Sequence, residues 1–435
     1  MFKILYIIIQ FVIILILVGL AVNNSFLISF EIKDFKYSFT SSYLLIFFLI
    51  FFIIIFILQT FYFQTKFKFS KFKINHKIKK KEKGYNSFVN GMIAIANKDF
   101  NKAIIEGKKV SNYLDDDPSL SLLLKSEIFK IEKKYDQLNL IYEEMTKDNN
   151  TQNLGYRGLM EHYLRSQDYH HAFIYGEKLF NNNPYIEKIY ETLVNIISKT
   201  NNWQQLLIIT DRAYSKKIIN KELYSINKSI AFYEIAKIKK LSNAKESLNL
   251  IEKVLKLNKN FQPYVALYLE LLTENKKNDF AKKVIKKIWE TDPHPQYKFY
   301  IKKIANNLGI EFKSLVKYIT KSTQDNEESK ILLTEASIES KHWDEARDHI
   351  KSLLDHQPKK EICLLMSKIE EGETNDIQKV NAWLLRGNNG NLSNIWVCKF
   401  TQQAQETWSS VADSGYFNSL EWRQPTISHN IQKLI

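Results

Sequence analysis

The sequence predicts an all-α chain: an N-terminal two-helix membrane hairpin, then an α-solenoid of paired helices, then a small irregular C-terminal tail. Three observations predict it. Two long apolar runs open the chain, and amphipathic segments of roughly 12 to 16 residues fill its middle. Only 12 Gly and 7 Pro occur in 435 residues, fewer than the turns of an all-β protein would need. A chain of this length exceeds one ordinary domain, so separate units or a repeat array are expected. The expected divisions are 1–65 (hairpin), 66–83 (basic juxtamembrane linker), 84–385 (helical repeats) and 386–435 (tail).

The first apolar run, Ile4 to Val22, has Gln10 as its one strongly polar residue. Its 19 residues reach roughly 29 Å as a helix, enough to cross a bilayer core. Tyr43 to Phe63 is a second run without charge. Between them, residues 23–42 partly alternate apolar and polar, which suits a small strand pair or an interfacial segment. Lys3 precedes the first run, and Lys33 and Lys36 offset Glu31 and Asp34 in the loop. Nine lysines and one glutamate follow from Lys66 to Lys83, over half of the formal net charge of +15. The positive-inside rule then predicts a multi-pass membrane protein with both termini and the repeat domain cytoplasmic. A cleaved signal peptide, with Gly19-Leu20-Ala21 as its small-x-small site, is the competing reading of the first run. That run exceeds a usual signal core, and the second span would place the large domain inside in either case. Directly after the second span, Lys66, Lys68, Lys71 and Lys73 alternate with Phe. At headgroup level each lysine attracts anionic lipid by about 1 kcal/mol, so membrane lipid is the expected partner of this stretch, and nucleic acid is not.

From Gly84 an element recurs, an aromatic residue followed by two polar residues and Ala or Leu. It stands at Phe100–Ala103, Tyr135–Leu138, Tyr169–Ala172, Trp203–Leu206 and Trp343–Ala346. The first four aromatics are spaced by 35, 34 and 34 residues, and the last lies 140 beyond Trp203. Pro118 and Pro184 are 66 apart, Pro293 and Pro358 are 65 apart, each pair close to two such periods. A period near 34, with an aromatic opening the second helix and Pro between units, looks like the tetratricopeptide (TPR) pattern of paired helices. The section 218–300 fits poorly and Pro263 is out of phase, so an insertion or a degenerate repeat is expected there. Such arrays offer surfaces to partner proteins.

Catalytic and cofactor chemistry find no support. Neither a Gly-x-Gly-x-x-Gly loop, a phosphate-binding loop nor a His-Glu-x-x-His helix occurs. His342, His349 and His356 are spaced by seven; on one helix the latter two would stand about 10.5 Å apart, too far to share a metal. His170-His171 opens a repeat's second helix, and neighbours point apart. Cys363 lies in an apolar helical stretch and reads as a buried thiol, and the pairs Glu143-Glu144 and Glu370-Glu371 read as solvated faces. The expectation is therefore a non-enzymatic protein with no catalytic residues, no cofactor and no metal.

In this order of features the chain resembles the HemY-type TPR membrane proteins associated with haem biosynthesis, in their alphaproteobacterial form. The resemblance covers most of the chain. It is carried by the two spans with their short loop, by KGYNSFVNGMIAIANKDFNKAI (83–104), by LGYRGLMEHYLRSQDYHHAF (154–173) and by the tail. It implies an inner-membrane-anchored scaffold, needed for or linked to late protohaem and porphyrin synthesis, that holds pathway enzymes together or helps intermediates move. Protoporphyrinogen oxidase, an unrelated flavoprotein that has carried the same family name, is not implied, because its Gly-rich flavin loop is missing. Two other readings stay open: a general envelope or chaperone-like adaptor only indirectly linked to haem, and direct binding of haem or porphyrin, for which no Cys-Pro pair is present. In the relatives the tail looks like two Cys-x-x-Cys knuckles around a Trp, ending in Leu-Glu-Trp-Arg, a ligand set suited to zinc. Here the four positions hold Cys398, Thr401, Val411 and Ser414, while Trp396, Trp408, Gly415, Phe417 and Leu420–Arg423 keep the frame. Thr, Val and Ser cannot build a structural zinc site, so the tail is expected to have lost its metal and to pack on the last repeat as a cap.

Overall fold

The computed structural model describes residues 2–23, 26–354 and 358–425. It divides into two compact units, 1–138 and 139–435.

The first unit begins with α1 (Phe2–Asn23), β1 (Leu27–Ile32) and β2 (Phe35–Thr40). The two strands pair antiparallel across Lys33-Asp34, both at positive φ, the backbone of a tight two-residue hairpin turn. α2 (Ser41–Ala96) follows at once and runs for 56 residues, about 84 Å. Its apolar half is unburied, and it is the one described helix long and apolar enough, by length and composition, to cross a membrane. α1 touches it where the Gln10 amide donates to Gln59 Oε1 at 3.4 Å. The structure thus supports one long apolar helix and not a clear pair of spans. Nor does it separate span from repeats: α2 passes unbroken through residues 65–66 and 83–84, where divisions were expected. No Gly or Pro interrupts it before Gly84, where a Cβ would meet Leu114 Cγ at 2.6 Å. The helix therefore continues past the basic stretch and packs its last turns on α3 (Phe100–Tyr113) and α4 (Ser119–Ile131) around Ala94, Ala103, Val110 and Leu124. Lys77 and Lys80 pair with Asp116 and Asp115 at 2.9 and 2.7 Å.

α5 (Tyr135–Met145) stands at the division between units. The second unit then stacks helix pairs: α6 (Gln152–Arg165) with α7 (Tyr169–Asn182), α8 (Ile189–Thr200) with α9 (Trp203–Ser215), and α10 (Lys221–Lys239) with α11 (Ala244–Leu257). α12 (Gln262–Glu274) pairs with α13 (Asn278–Trp289), α14 (Lys298–Leu308) with α15 (Phe312–Ile319), α16 (Glu327–Glu339) with α17 (Trp343–Ile350), and α18 (Lys360–Glu373) with α19 (Ile377–Asn388). The arrangement is TPR-like.

One local device makes the pairs. Lys98, Gln167, Asn201 and Asn375 take positive φ and end a first helix. The next residue, Asp99, Asp168, Asn202 or Asp376, caps the second helix by accepting a backbone N–H two or three residues on. The aromatic follows the cap, except that Ile377 takes that place in α19. Phe100, Tyr135, Tyr169, Trp203 and Trp343 are each the first residue of a helix. Three residues on, Ala103, Ala172, Leu206 and Ala346 are fully buried where the paired helices meet.

Residues 218–300 hold no foreign insertion. Second helices start 41, 34, 34 and 31 residues apart from Trp203 through Ala244, Asn278 and Phe312 to Trp343. The excess is the 19-residue α10, against 12 to 14 in α6 to α9. Pro263 is out of phase because it sits in the first turn of α12, where its missing N–H costs nothing. Phe312–Leu315 repeats the aromatic signature and escaped the sequence reading. The expected helix shared by His349 and His356 is not formed as such. α17 ends at Ile350, a 3-10 turn follows at Lys351–Leu353, and His356 lies outside the described residues.

The tail corrects the all-α expectation. β3 (Ile395–Cys398), β4 (Ala404–Gln405) and β5 (Leu420–Arg423) form an antiparallel sheet in the order β4-β3-β5. It also corrects the expected docking on the last repeat. Residues around Asn391 and Ser393 run along the start of α18, with Lys360 N–H donating to the Asn391 carbonyl at 3.0 Å. The sheet itself joins the core of residues 160–336 through Trp396, Cys398, Trp408 and Leu420, not the separate core of α16 to α18. Its aromatic rings find aromatic partners there, described next.

Candidate binding groove

The tail closes one side of a cavity of about 660 Å³ on the face shared by α10, α12 and the start of α14. Trp408 forms the tail's wall. Its indole meets Tyr233, Phe261 and Tyr264 edge-on, with centroids 5.4, 5.2 and 5.9 Å apart. Such perpendicular contacts set the positive ring edge against a negative face. The Trp408 indole N–H is buried and finds no protein acceptor.

A second clasp lies at residues 294–297. The Gln296 side chain donates to the Glu406 carbonyl at 3.0 Å and accepts from the Trp396 indole at 3.4 Å. His294 packs at a tilt against Trp422, with centroids 4.6 Å apart, and its Nδ1 accepts from the Gln296 backbone N–H at 3.3 Å. Burial lowers its pKa to about 4, so the ring is neutral near pH 7.

The cavity floor carries paired charge. Lys240 bridges Glu270 and Glu274 at 2.7 and 2.9 Å, and Lys298 pairs with Glu335. Burial works against charge on Lys240, yet its bonds to the two carboxylates outweigh this and raise its pKa. Burial, with Glu270 beside it, pushes the Tyr300 phenol up to about 12. Phe299, also on the lining, is 65% exposed. Aromatic walls and ion-paired lysines make a surface for recognition. No nucleophile stands against a base among the residues lining the cavity, and its volume lies within the range of ordinary ligand clefts.

The residues singled out in the sequence do not gather here. Trp203 is buried, Tyr169 and Trp343 are half-buried, and Phe100 and Tyr135 are exposed, each at its own turn. Lys66, Lys68, Lys71 and Lys73 are exposed along α2. At 100° per residue these lysines and Phe67, Phe69 and Phe72 encircle the helix, so the alternation gives no two-sided strand. His171 pairs with Asp168 at 2.7 Å.

The knuckle positions do converge in part. Cys398 is buried, the Ser414 hydroxyl donates to its Sγ at 3.3 Å, and Ser419 Oγ lies 3.5 Å from it. Burial alone would raise the thiol's pKa; hydrogen bonds with Ser414, Ser419 and Thr401 overcome that and bring it to about 6. Val411 instead bridges Phe417. Two turns hold the frame, Cys398 to Gln402 and Ala412 to Tyr416, the second needing Gly415 at φ 83°. One thiol, two hydroxyls and an alkyl group fall short of a tetrahedral zinc ligand set. Among the described residues no group of three or more His, Cys, Asp and Glu could hold a metal.

Tyr233, Phe261, Tyr264, His294 and Gln296, which hold the tail, were not singled out in the sequence. Their one signal is a cluster of aromatic residues in the section that broke the repeat period, with three tryptophans left over in the tail.

No family model matches the chain, and no curated protein matches it. Among solved structures it is similar to one described as Naa15/Naa10 bound to HypK-THB, at 13% identity and a TM-score of 0.38 over 72% of this chain and 54% of that one. The chain thus spans about half the length of that neighbour. A tetratricopeptide repeat protein from Parabacteroides merdae gives 14% identity and a TM-score of 0.27 over 57% and 92% of the two chains. Yeast Tom70 gives 13% and 0.30 over 69% and 77%. Likenesses this loose carry no argument about function.

Proposed function

We propose that this chain is a non-enzymatic scaffold anchored in a bacterial inner membrane, which presents a TPR-like array to partner proteins on the cytoplasmic side. The observation that carries this reading is α2: an unburied apolar stretch and the first helix of a repeat are one continuous helix. An anchor built this way passes directly into the first repeat, with no flexible linker between the two. In this reading α1 is a second span, both termini are cytoplasmic, and Lys66, Lys68, Lys71 and Lys73 lie among anionic headgroups. The groove walled by Trp408 and Tyr233 takes a segment of the partner. The resemblance to HemY-type proteins makes enzymes of late haem and porphyrin synthesis the first partners to seek. A general envelope or chaperone-like adaptor is the second reading, favoured by the aromatic character of the groove.

Crosslinked full-length protein, affinity-purified from membranes and analysed by mass spectrometry, separates the two. Ferrochelatase or porphyrinogen-oxidising enzymes enriched over a Trp408→Ala control support the haem scaffold. Enrichment of chaperones or envelope proteins alone sinks it. A haem titration with no Soret shift removes direct haem binding.

A further inference from the structure

We propose that the β1–β2 hairpin is an interfacial membrane element, lying with one apolar face against the lipid at the end of α2 where β2 meets it. This rests on the reading of α2 as a membrane span. The strand register puts Ile28 opposite Phe39, Phe30 opposite Tyr37, and Ile32 opposite Phe35. Antiparallel partners share a face and faces alternate along a strand, so these six residues form one continuous apolar side. The other side holds Leu27 with Thr40, Ser29 with Ser38, and Glu31 with Lys36, the last pair 3.3 Å apart.

The apolar side is unusually open. Phe35 is 69% exposed, Ile32 57%, Tyr37 52% and Phe30 41%. Phe30 contacts Tyr37 and Phe39 at 5.9 and 5.2 Å, which knits the face together without covering it. A two-stranded hairpin is marginal in water by itself, and a contiguous apolar patch marks something that binds it.

Its position says what binds. β2 ends at Thr40 and α2 begins at Ser41 with no residue between. The Ser41 N–H donates to the Phe26 carbonyl at 3.1 Å, which ties the base of the hairpin to the first turn of α2. The apolar stretch of α2 starts two residues on, at Tyr43. The hairpin therefore stands where the hydrocarbon ends, at the depth that aromatic residues favour. Serines and the neutral Glu31–Lys36 pair on the opposite side suit the aqueous layer. The Lys33-Asp34 tip keeps its charges among headgroups instead of inserting. Lipid is the one partner that the adjoining helix itself brings to this face.

The test uses the full-length protein in vesicles of phosphatidylcholine and phosphatidylglycerol. Both native cysteines are buried, so an environment-sensitive NBD label goes to an introduced one. Phe35→Cys and Tyr37→Cys report the apolar side, Ser29→Cys and Ser38→Cys the polar side, two on each so that one poorly folded variant does not decide the result. Labels at 35 and 37 should be quenched by shallow doxyl lipid about twofold or more above those at 29 and 38, with iodide equilibrated across the membrane giving the reverse order. If the protein floats with the vesicles while all four labels are equally open to iodide, the hairpin inference is overturned and the anchor stands. If it does not float, the anchor reading fails and takes this one with it.

Discussion

Replacing Trp408 by alanine should release the tail from the groove. The indole is 7% exposed and meets three aromatic rings. Truncating a buried Trp costs about 3–5 kcal/mol, a range that already contains the ring contacts. The indole N–H is buried without a protein acceptor, and removing such a donor returns about 1–3 kcal/mol. The net loss is therefore about 0–4 kcal/mol and centres on about 2 kcal/mol, on the order of a 30-fold shift in the docking equilibrium. Trp408→Phe keeps a ring and drops the N–H, so it should stay within about 1 kcal/mol of the parent. Amide hydrogen exchange on the detergent-solubilised full-length protein reads both. Peptides covering β3 and β5 should lose protection in Trp408→Ala and keep it in Trp408→Phe, with α18 unchanged in both. Equal exchange of β3 and β5 in the alanine variant and the parent would refute the ring-clasp argument. So would equal loss in the two variants, since the aromatic ring would then not be what matters.

The His294 clasp predicts an acid limit. Its folded pKa of about 4 lies below the ordinary histidine value of 6.5, so the unfolded chain binds the proton first. Stability is complete above about pH 6.5, falls as the pH drops and levels off below about pH 4, for a total of about 3 kcal/mol. His294→Gln should flatten urea midpoints across that window; an unchanged slope counts against the assignment. Arg347 bonds Glu370, whose side chain is 7% exposed, at 2.7 Å, and also pairs with Glu373. Arg347→Met strands the Glu370 charge and should cost about 2–4 kcal/mol in thermal unfolding, while adding Glu370→Leu recovers most of it. Arg347 holds the Glu370 pKa below the ordinary glutamate value of 4.5, so in the parent this contribution is present above about pH 4.5 and lost as pH falls through the depressed value. Gly155→Ala would bring a Cβ to 2.6 Å from the Tyr142 carbonyl oxygen and 2.9 Å from Thr146 N, and backbone cannot swing aside as a side chain can. The clash, about 1–3 kcal/mol, should outweigh the gain of about 1 kcal/mol in helix propensity and lower the melting temperature. A raised value would contradict the packing.

What could be read without coordinates was what local chemistry repeats. Three of the turns are set within a few residues by a positive-φ residue, an Asp or Asn cap, an aromatic and a buried apolar residue. Asp99-Phe100-Ala103 and Asp168-Tyr169-Ala172 therefore announce their helix pairs directly. The rhythm blurred where α10 grew longer, because an added turn or two leaves the pairing intact and shifts only the count. The length of the apolar run from Tyr43 was likewise legible. Its fusion to the first repeat was not, since a basic run reads alike as linker or as helix until Gly84 and Leu114 pack.

By itself the sequence determined the helix pairs, their period and an apolar segment long enough to span a bilayer, all encoded over a few turns of chain. The tertiary structure alone decided where the tail goes. Trp408 meets Tyr233, Phe261 and Tyr264 from more than 140 residues away, and Gln296 holds Glu406 across 110. No local pattern records a pairing at that distance. It follows from which aromatic surface remains uncovered once the helices have stacked, and the tail then supplies one wall of the groove.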